Sequence, residues 1–349
     1  MSMLWFVYIL IAVALIFDFF NGFHDAANSV ATVVTTRVLT PLQAVFWAAF
    51  FNFVAAFLFG TGVAKTISEK LIDPKAVDVY VVCGGLIGAI AWDIITWLMA
   101  LPTSSSHAII SGYAGAAIAR AGFSSILIKG WIPVITFLII SPIVGMILGW
   151  LIMTVVSWFA HKTERYKAEK RFRHLQLLSA ACYSLGHGTN DAQKTMGIIV
   201  ALLATAGHKE WAKASAGGFH ALGKHEIAWW IILSCHAAMA VGTMAGGWRI
   251  VQTVGSRITP HLRPLGGFSA EMAAATTIGM ATLANVPIST THAIGGAVSG
   301  VGATRGWHAV RWIWGERIVV AWVLTFPGAA LIGAAGYYLA HFAIEPFIH

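Results

Sequence analysis

GFHDAAN at residues 22–28 returns as GTNDAQK at 188–194, and LPTSSSHAIISGYAG at 101–115 returns as VPISTTHAIGGAVSG at 286–300. Both pairs come in the same order, so the chain reads as two related halves, 1–160 and 175–349, joined by a basic linker at 161–174. Each half contributes one motif built on an Asp and one built on Pro, three hydroxyl-bearing residues and a His. What such groups are doing depends on their surroundings, and those are apolar.

Of 349 residues, 58% are hydrophobic and only 10% are charged, against about 25% charged in an ordinary soluble domain. Too few charges remain to cover a water-facing surface, which points to a bilayer. Apolar runs of the length needed to cross a hydrocarbon core of about 30 Å recur from end to end, as at 42–62 and 130–159. Backbone groups in lipid must be satisfied within the segment, so the runs are expected to be helices. The first run, MSMLWFVYILIAVALIFDFF, lacks a basic leader and a small-residue cleavage site and reads as a retained helix. Cys83, Cys182 and Cys235 lie in apolar segments without a CxxC and read as small buried hydrophobes.

The formal net charge of +8 does not indicate nucleic acid, because the basic residues sit between apolar runs and report orientation instead. HKTERYKAEKRFRH at 161–174 is expected to be a solvated cytoplasmic loop, with contact to anionic lipid as a secondary role. With both termini outside and an odd number of crossings per half, thirteen Lys and Arg residues fall inside and eight outside, the sign the rule requires. An odd number also inverts one half relative to the other. Inverted repeats with interrupted helices mark secondary transporters, whose substrate site lies near the midplane. The expected architecture is an all-α integral membrane protein of about ten to twelve segments, including two re-entrant hairpins.

Apolar residues 4–20 followed by NGFHDAAN and a second apolar stretch to Val38 exceed one straight span, so a helix break is expected near Asn21–Asn28. An ionised Asp at that depth costs at least roughly 2.5–3.5 kcal/mol on insertion scales. Asp25 therefore needs a cation, a proton or a strong hydrogen-bond partner, as does Asp191, beside Asn190, Gln193 and Lys194. Capping of a helix break, or a Lys194–Asp191 pair at i, i+3, is the plainer account of each motif. Two copies placed by inversion at a shared centre favour a site.

In PTSSSHA and PISTTHA the Pro ends one helix and the hydroxyl residues open the next. Free N–H groups, the positive dipole end and the hydroxyls of Ser104, Ser105, Ser106, Ser289, Thr290 and Thr291 suit an anion; simple N-capping is the alternative. Such a pair could hold a tetrahedral oxyanion without Arg or Lys. His107 and His292 read either as interior histidines or as groups that touch the ligand or handle protons. Asp18, seven residues before Asp25, together with Asp93 and Glu271, which precede the two hydroxyl motifs, are candidates for supporting positions. Carboxylates beside an anion imply coupling to a cation or proton, or a hydrogen bond from a protonated substrate oxygen, which phosphate has at neutral pH and sulfate lacks.

The four motifs resemble the paired signatures of the inorganic phosphate transporter (PiT) family, over nearly the whole chain. The resemblance implies a phosphate symporter with an inverted-repeat fold, a homodimer, and a scaffold part distinct from a moving part. It implies phosphate contacts at Ser104–Ser106 and Ser289–Thr291, and a substrate or coupling-ion site lined by Asp25, Asn28, Asn190, Asp191 and Gln193. Sodium-coupled members usually carry Asn before the first Asp, as here at Asn190; His24 stands there instead. A group titrating near pH 6.5 when unperturbed weakens a sodium site and supplies a proton site. NGFHDAAN resembles the bacterial low-affinity branch, which is proton-coupled and accepts phosphate complexed with a divalent metal; Asp25 and Asp191 are the ligands such a metal would meet.

The expectation is a bacterial inner-membrane phosphate:proton symporter with periplasmic termini, no prosthetic group, and sodium or a divalent metal as the alternative co-transported ions. Competing readings are a sulfate symporter of the same fold, a passive channel, and an intramembrane hydrolase using a Ser with His107 or His292; duplication of the whole motif counts against the last.

Overall fold

With so few polar side chains to compete for backbone partners, the apolar runs have one way to satisfy their N–H and C=O groups, and nearly every element is a helix. The computed structural model describes residues 3–213, 226–252 and 258–347; Lys224 and Arg257 of the charge count lie outside the described residues. In the first half of the sequence come α1 (Met3–Thr35), α2 (Pro41–Val54), α3 (Gly62–Glu69), α4 (Val79–Leu98), α5 (Ser105–Ala121) and α6 (Ile128–Ala160). Then follow α7 (Arg165–Thr205), α8 (Lys209–Ala212), α9 (Trp229–Ala245), α10 (Trp248–Gln252), α11 (Pro264–Leu283), α12 (Thr290–Ala303) and α13 (Trp312–Ile344). Among the described residues the only β contacts are two isolated bridges, Ile72–Ile126 and Lys213–Ile227.

α1, α4, α6 and the Gly315–Ile344 part of α13 are long and apolar enough to cross a membrane. α6 and α13 turn Ile132, Ile139, Ile147, Leu324 and Leu331 outward, as lipid-facing helices do. The basic linker is shorter than expected: α7 begins at Arg165, so only 161–164 connect the helices and the remaining cations form an exposed first part of α7.

The expected break at Asn21–Asn28 is not found. α1 runs unbroken through it for 33 residues, roughly 50 Å at 1.5 Å per residue, and α7 likewise passes through GTNDAQK. The glycines within the two motifs serve close approach of neighbouring helices. A Cβ on Gly22 would lie 2.1 Å from the Met239 carbonyl oxygen of α9, and one on Gly188 would lie 2.7 Å from the Asn52 backbone of α2. The polar groups need no break because neighbouring helices supply their partners.

The interruptions fall at the hydroxyl motifs, and both are built alike. α4 ends with Ala100 at φ 54° and α11 with Asn285 at φ 59°. Leu101 N–H then donates back to Thr96 O and Val286 N–H to Ala281 O, each at 3.0 Å, the reversed hydrogen bonding of a Schellman end. Pro102 and Pro287 forbid resumption of the helix one residue later. Ser104 and Ser289 restart it as N-caps, accepting from His107 N–H at 3.3 Å and His292 N–H at 3.2 Å.

The long helices are exchanged between the halves of the sequence: α6 packs along α11 and α12, and α13 along α4 and α5. Small residues make this possible. Gly145 and Gly149 of α6 face Ala293 and Ala297 of α12, while Gly296 and Gly300 of α12 face Pro142 and Met146 of α6, a small-xxx-small crossing that compensates for the weak hydrophobic drive between helices in lipid. A Cβ on Gly296 would fall 2.1 Å from the Pro142 carbonyl oxygen. Gly296→Leu should therefore lose about 3 kcal/mol of stability through forced separation of the helices. Thermal unfolding in detergent checks this; an unchanged melting temperature would show that the contact is looser than described.

Candidate functional site

α1 and α7 carry the Asp motifs to a common place deep in the protein. Asp25, His187 and Asp191 each offer a ligand atom within 4.8 Å of the others, and all three residues are at most 1% exposed. The two hydroxyl turns arrive at the same place from α4–α5 and α11–α12. They are joined crosswise. Asn28 Nδ2 of α1 donates to Thr291 Oγ1 at 2.8 Å, and Thr291 Oγ1 donates to Thr103 O at 3.1 Å. Lys194 Nζ of α7 donates to Ser106 Oγ, to Asp191 Oδ1 and to Ile288 O, the last at 3.0 Å. Thr290 Oγ1 completes the connection by donating to Asp191 Oδ2 at 3.2 Å.

Each carboxylate is differently placed. Asp25 Oδ1 is hydrogen-bonded to His24 Nδ1 at 3.0 Å, whereas Oδ2 has no partner among the described residues. His24 Nε2 lies 3.3 Å from Thr96 Oγ1 and 3.4 Å from Thr103 Oγ1, which anchors the ring to the first turn. Asp191 has both oxygens engaged, and its Oδ2 also lies 3.3 Å from His187 Nε2.

The tautomer of His187 follows from its neighbours. Thr243 Oγ1 donates to Met239 O at 2.9 Å, so it accepts from Asn52 Nδ2 at 3.0 Å, which leaves Asn52 Oδ1 to accept from His187 Nδ1–H at 3.3 Å. In the neutral ring the Nε2 lone pair then faces the Asp191 carboxylate. Two electron-rich groups in that arrangement need positive charge beside them, and the Lys194 ammonium on Asp191 Oδ1 supplies it. Asp25 and Asp191 bring two carboxylates to this place and Lys194 one ammonium.

The six hydroxyl residues divide by task. Ser104 and Ser289 are the N-caps already described, which is the plainer of the two sequence readings. Ser106 and Thr291 hold the crosswise contacts, and Thr290 holds Asp191 of its own half. Ser105, fully buried, has no hydrogen bond of ordinary geometry to its Oγ among the described residues.

Two residues assigned to the site have other duties. Gln193 Oε1 accepts from Val63 N–H at 2.9 Å and Ala64 N–H at 3.3 Å, while its Nε2 donates to Gly60 O at 2.9 Å, so it closes the start of α3 rather than lining the centre. The amide groups at a helix N-terminus, which have no partner within the helix, claim it. Asn190 orders the second turn, donating to Thr282 Oγ1 at 3.0 Å and accepting from Ile288 N–H at 3.1 Å.

The supporting acids differ as well. Glu271 accepts from Thr32 Oγ1 at 2.6 Å, Gln176 Nε2 at 2.9 Å and Ser179 Oγ at 2.5 Å, tying α11 to α1 and α7. Asp93 stands beside His24 and Ser105, with neither carboxylate oxygen in a hydrogen bond of ordinary geometry among the described residues. Asp18 faces Thr195, Asn21 and Cys235 one helical stretch away. His107 and His292 meet, ring centroids 4.7 Å apart, and pack on Phe326 and Trp322 of α13.

His187, Thr103 and Tyr183, whose hydroxyl reaches Thr290 O at 3.5 Å, were not anticipated. A signal for His187 existed: it lies one turn before Asp191, on the same face, just as Asn21 lies before Asp25.

Known proteins resemble this chain along most of its length. The profile described as the phosphate transporter family matches residues 21–167 and 160–333. The chain is 50% identical to a protein of Rhizobium meliloti (strain 1021) over 95% of each chain, and 43% identical to one of Bacillus subtilis (strain 168) over 95% of this chain and 96% of that one. Both are named probable low-affinity inorganic phosphate transporter. Among solved structures, one titled the sodium-dependent phosphate transporter superposes with a TM-score of 0.83 at 25% identity, covering 97% of this chain and 100% of that chain.

Proposed function

We propose, from the premise that this chain belongs to the phosphate transporter family, that it is a bacterial inner-membrane symporter moving inorganic phosphate with protons by alternating access. The observation that supports this most is the crosswise centre itself: two carboxylates and the hydroxyl turns of both halves meet in one buried place, held by Asn28–Thr291 and Lys194–Ser106. The hydroxyls and helix starts would face the phosphate oxygens, and the carboxylates of Asp25 and Asp191 favour a co-transported cation.

His24 against Asp25 favours the proton as that cation. The motif pairs, the matching turn geometry and the exchange of α6 and α13 support an organisation of two inverted repeats, 1–160 and 175–349, whose hairpins α4–α5 and α11–α12 re-enter the bilayer. Periplasmic termini, a cytoplasmic basic segment at 161–174 and a homodimer complete the proposal. A phosphate carried as its divalent metal complex would place the metal between Asp25 and Asp191.

A sodium-coupled version is favoured by one observation, the likeness to a structure titled as sodium-dependent. A Ser–His hydrolase is disfavoured by geometry: Ser106 Oγ accepts from Lys194, and His107 Nδ1 has no hydrogen-bond partner among the described residues.

Purified protein in proteoliposomes decides between the ions. Labelled phosphate should accumulate under an imposed inward proton gradient without sodium, and sulfate should not compete. Uptake that follows a sodium gradient and ignores the pH gradient would overturn proton coupling. Absence of uptake under both gradients would overturn symport.

A further inference from the structure

Aligned residue by residue, NGFHDAAN at 21–28 sets Asn28 opposite Lys194 of HGTNDAQK at 187–194. The two side chains do equivalent work. Each leaves its own Asp motif and donates to a hydroxyl of the other half's turn, Asn28 to Thr291 and Lys194 to Ser106. One is a neutral amide, however, and the other an ammonium ion.

That ammonium is 1% exposed. Its three N–H donors meet three oxygens of three kinds: the Asp191 carboxylate, the Ser106 hydroxyl and the Ile288 carbonyl. Carboxylate, hydroxyl and backbone carbonyl oxygens are also what proteins offer to a bound hard cation. Among the described residues nothing comparable serves the other motif. Asp25 keeps one oxygen without a partner among the described residues, and its counterpart to Lys194 brings no charge. The ionisable groups around Lys194 are Asp191 and His187 of α7, Asp25 of α1 and His107 of α5.

We propose that Lys194 is a resident counter-cation: its tethered ammonium fills, in the second motif, the position of a transported cation, so that coupling ions are taken up only on the Asp25 side. This rests on the phosphate-symport reading. A covalently held cation lowers by one the number of cations that must accompany each phosphate. An ion bound to Asp191 would have to be loaded and released on every cycle, whereas a covalently held one is never lost.

The test is to restore the chemistry of the first motif in the second. Wild type, Lys194→Arg, Lys194→Asn and Lys194→Gln are reconstituted, and labelled phosphate uptake and charge moved per phosphate are measured as functions of proton and of sodium concentration. The order of cation dependence counts the ions taken up with the anion. Lys194→Arg should keep the wild-type order. Lys194→Asn and Lys194→Gln should raise it by about one, with uptake about tenfold lower at the wild-type half-saturating cation concentration and recovering as the cation is raised.

An unchanged order and charge per phosphate in the neutral variants would overturn the proposal. So would neutral variants that bind no phosphate, or yield no folded protein, at any proton or sodium concentration, because an external cation would then be unable to replace the ammonium. Failure of the wild type to take up phosphate would instead refute symport itself, which keeps the two outcomes apart.

Discussion

Asp191→Asn should abolish phosphate uptake and leave the solubilised protein markedly less stable. Asp191 is the one acid of the centre with both oxygens engaged: the Lys194 ammonium on Oδ1, and Thr290 Oγ1 on Oδ2 with His187 Nε2 also 3.3 Å away. An amide of the same shape removes the charge and turns an N–H2 group toward either the ammonium or the Thr290 hydroxyl. Removing one partner of a buried ion pair costs about 3–5 kcal/mol, because the other charge is left uncompensated. The double variant Asp191→Asn/Lys194→Asn should recover much of that stability, since no orphan charge remains, while uptake stays absent.

Asp25→Asn should also stop uptake with a smaller stability loss, because only the His24 contact on Oδ1 is disturbed. Melting temperatures in detergent, read as a double-mutant cycle, with labelled phosphate uptake beside them, check all of this. Equal destabilisation by Asp25→Asn and Asp191→Asn would contradict the asymmetry of the two carboxylates.

Ser105→Ala should weaken phosphate binding strongly while hardly changing stability. Its hydroxyl is buried, sits at the first residue of α5 and makes no hydrogen bond of ordinary geometry among the described residues. In the resting protein its neighbour is the Asp93 carboxyl, so little is lost when it goes. A hydrogen bond to a charged group contributes about 1.5–3 kcal/mol, so phosphate affinity should fall by roughly 10- to 100-fold. Its neighbour provides the contrast. Ser104→Ala removes the cap on His107 N–H and should cost about 1 kcal/mol of stability, with a much smaller effect on affinity. The KM for uptake and the melting temperature of each variant separate these effects. A Ser105→Ala protein with wild-type KM would show that this hydroxyl never meets the anion.

The helical, bilayer-directed character of the chain was legible in its composition, because scarcity of charge and recurrent apolar runs leave few alternatives. The meeting of Asp25, Asp191 and the hydroxyl turns was legible because the motifs come in pairs, and pairing implies a shared centre. Helix continuity was not. A Gly among Asn, His and Asp looks the same in sequence whether it ends a helix or admits a neighbouring backbone, and Gly22 and Gly188 do the second.

The destination of Gln193 depended on where α3 begins, a relation of residues 129 and 130 positions apart that no local pattern reveals. His187 was missed because the motif alignment began at the glycine, one residue too late, although helical spacing alone sets it on the Asp191 face. The exchange of α6 and α13 was invisible for a similar reason: stripes of Gly and Ala mark a close crossing without naming the partner.

The central claim is that one anion is held between the two hydroxyl turns beside Asp25 and Asp191. It is tested most directly by an experimental density map of the phosphate-loaded protein in lipid nanodiscs. A tetrahedral ion within hydrogen-bonding distance of Ser105 and Ser106 on one side and Thr290 and Thr291 on the other is the predicted result. Density for phosphate elsewhere, with these turns drawn apart or filled only by their own side chains, would contradict it.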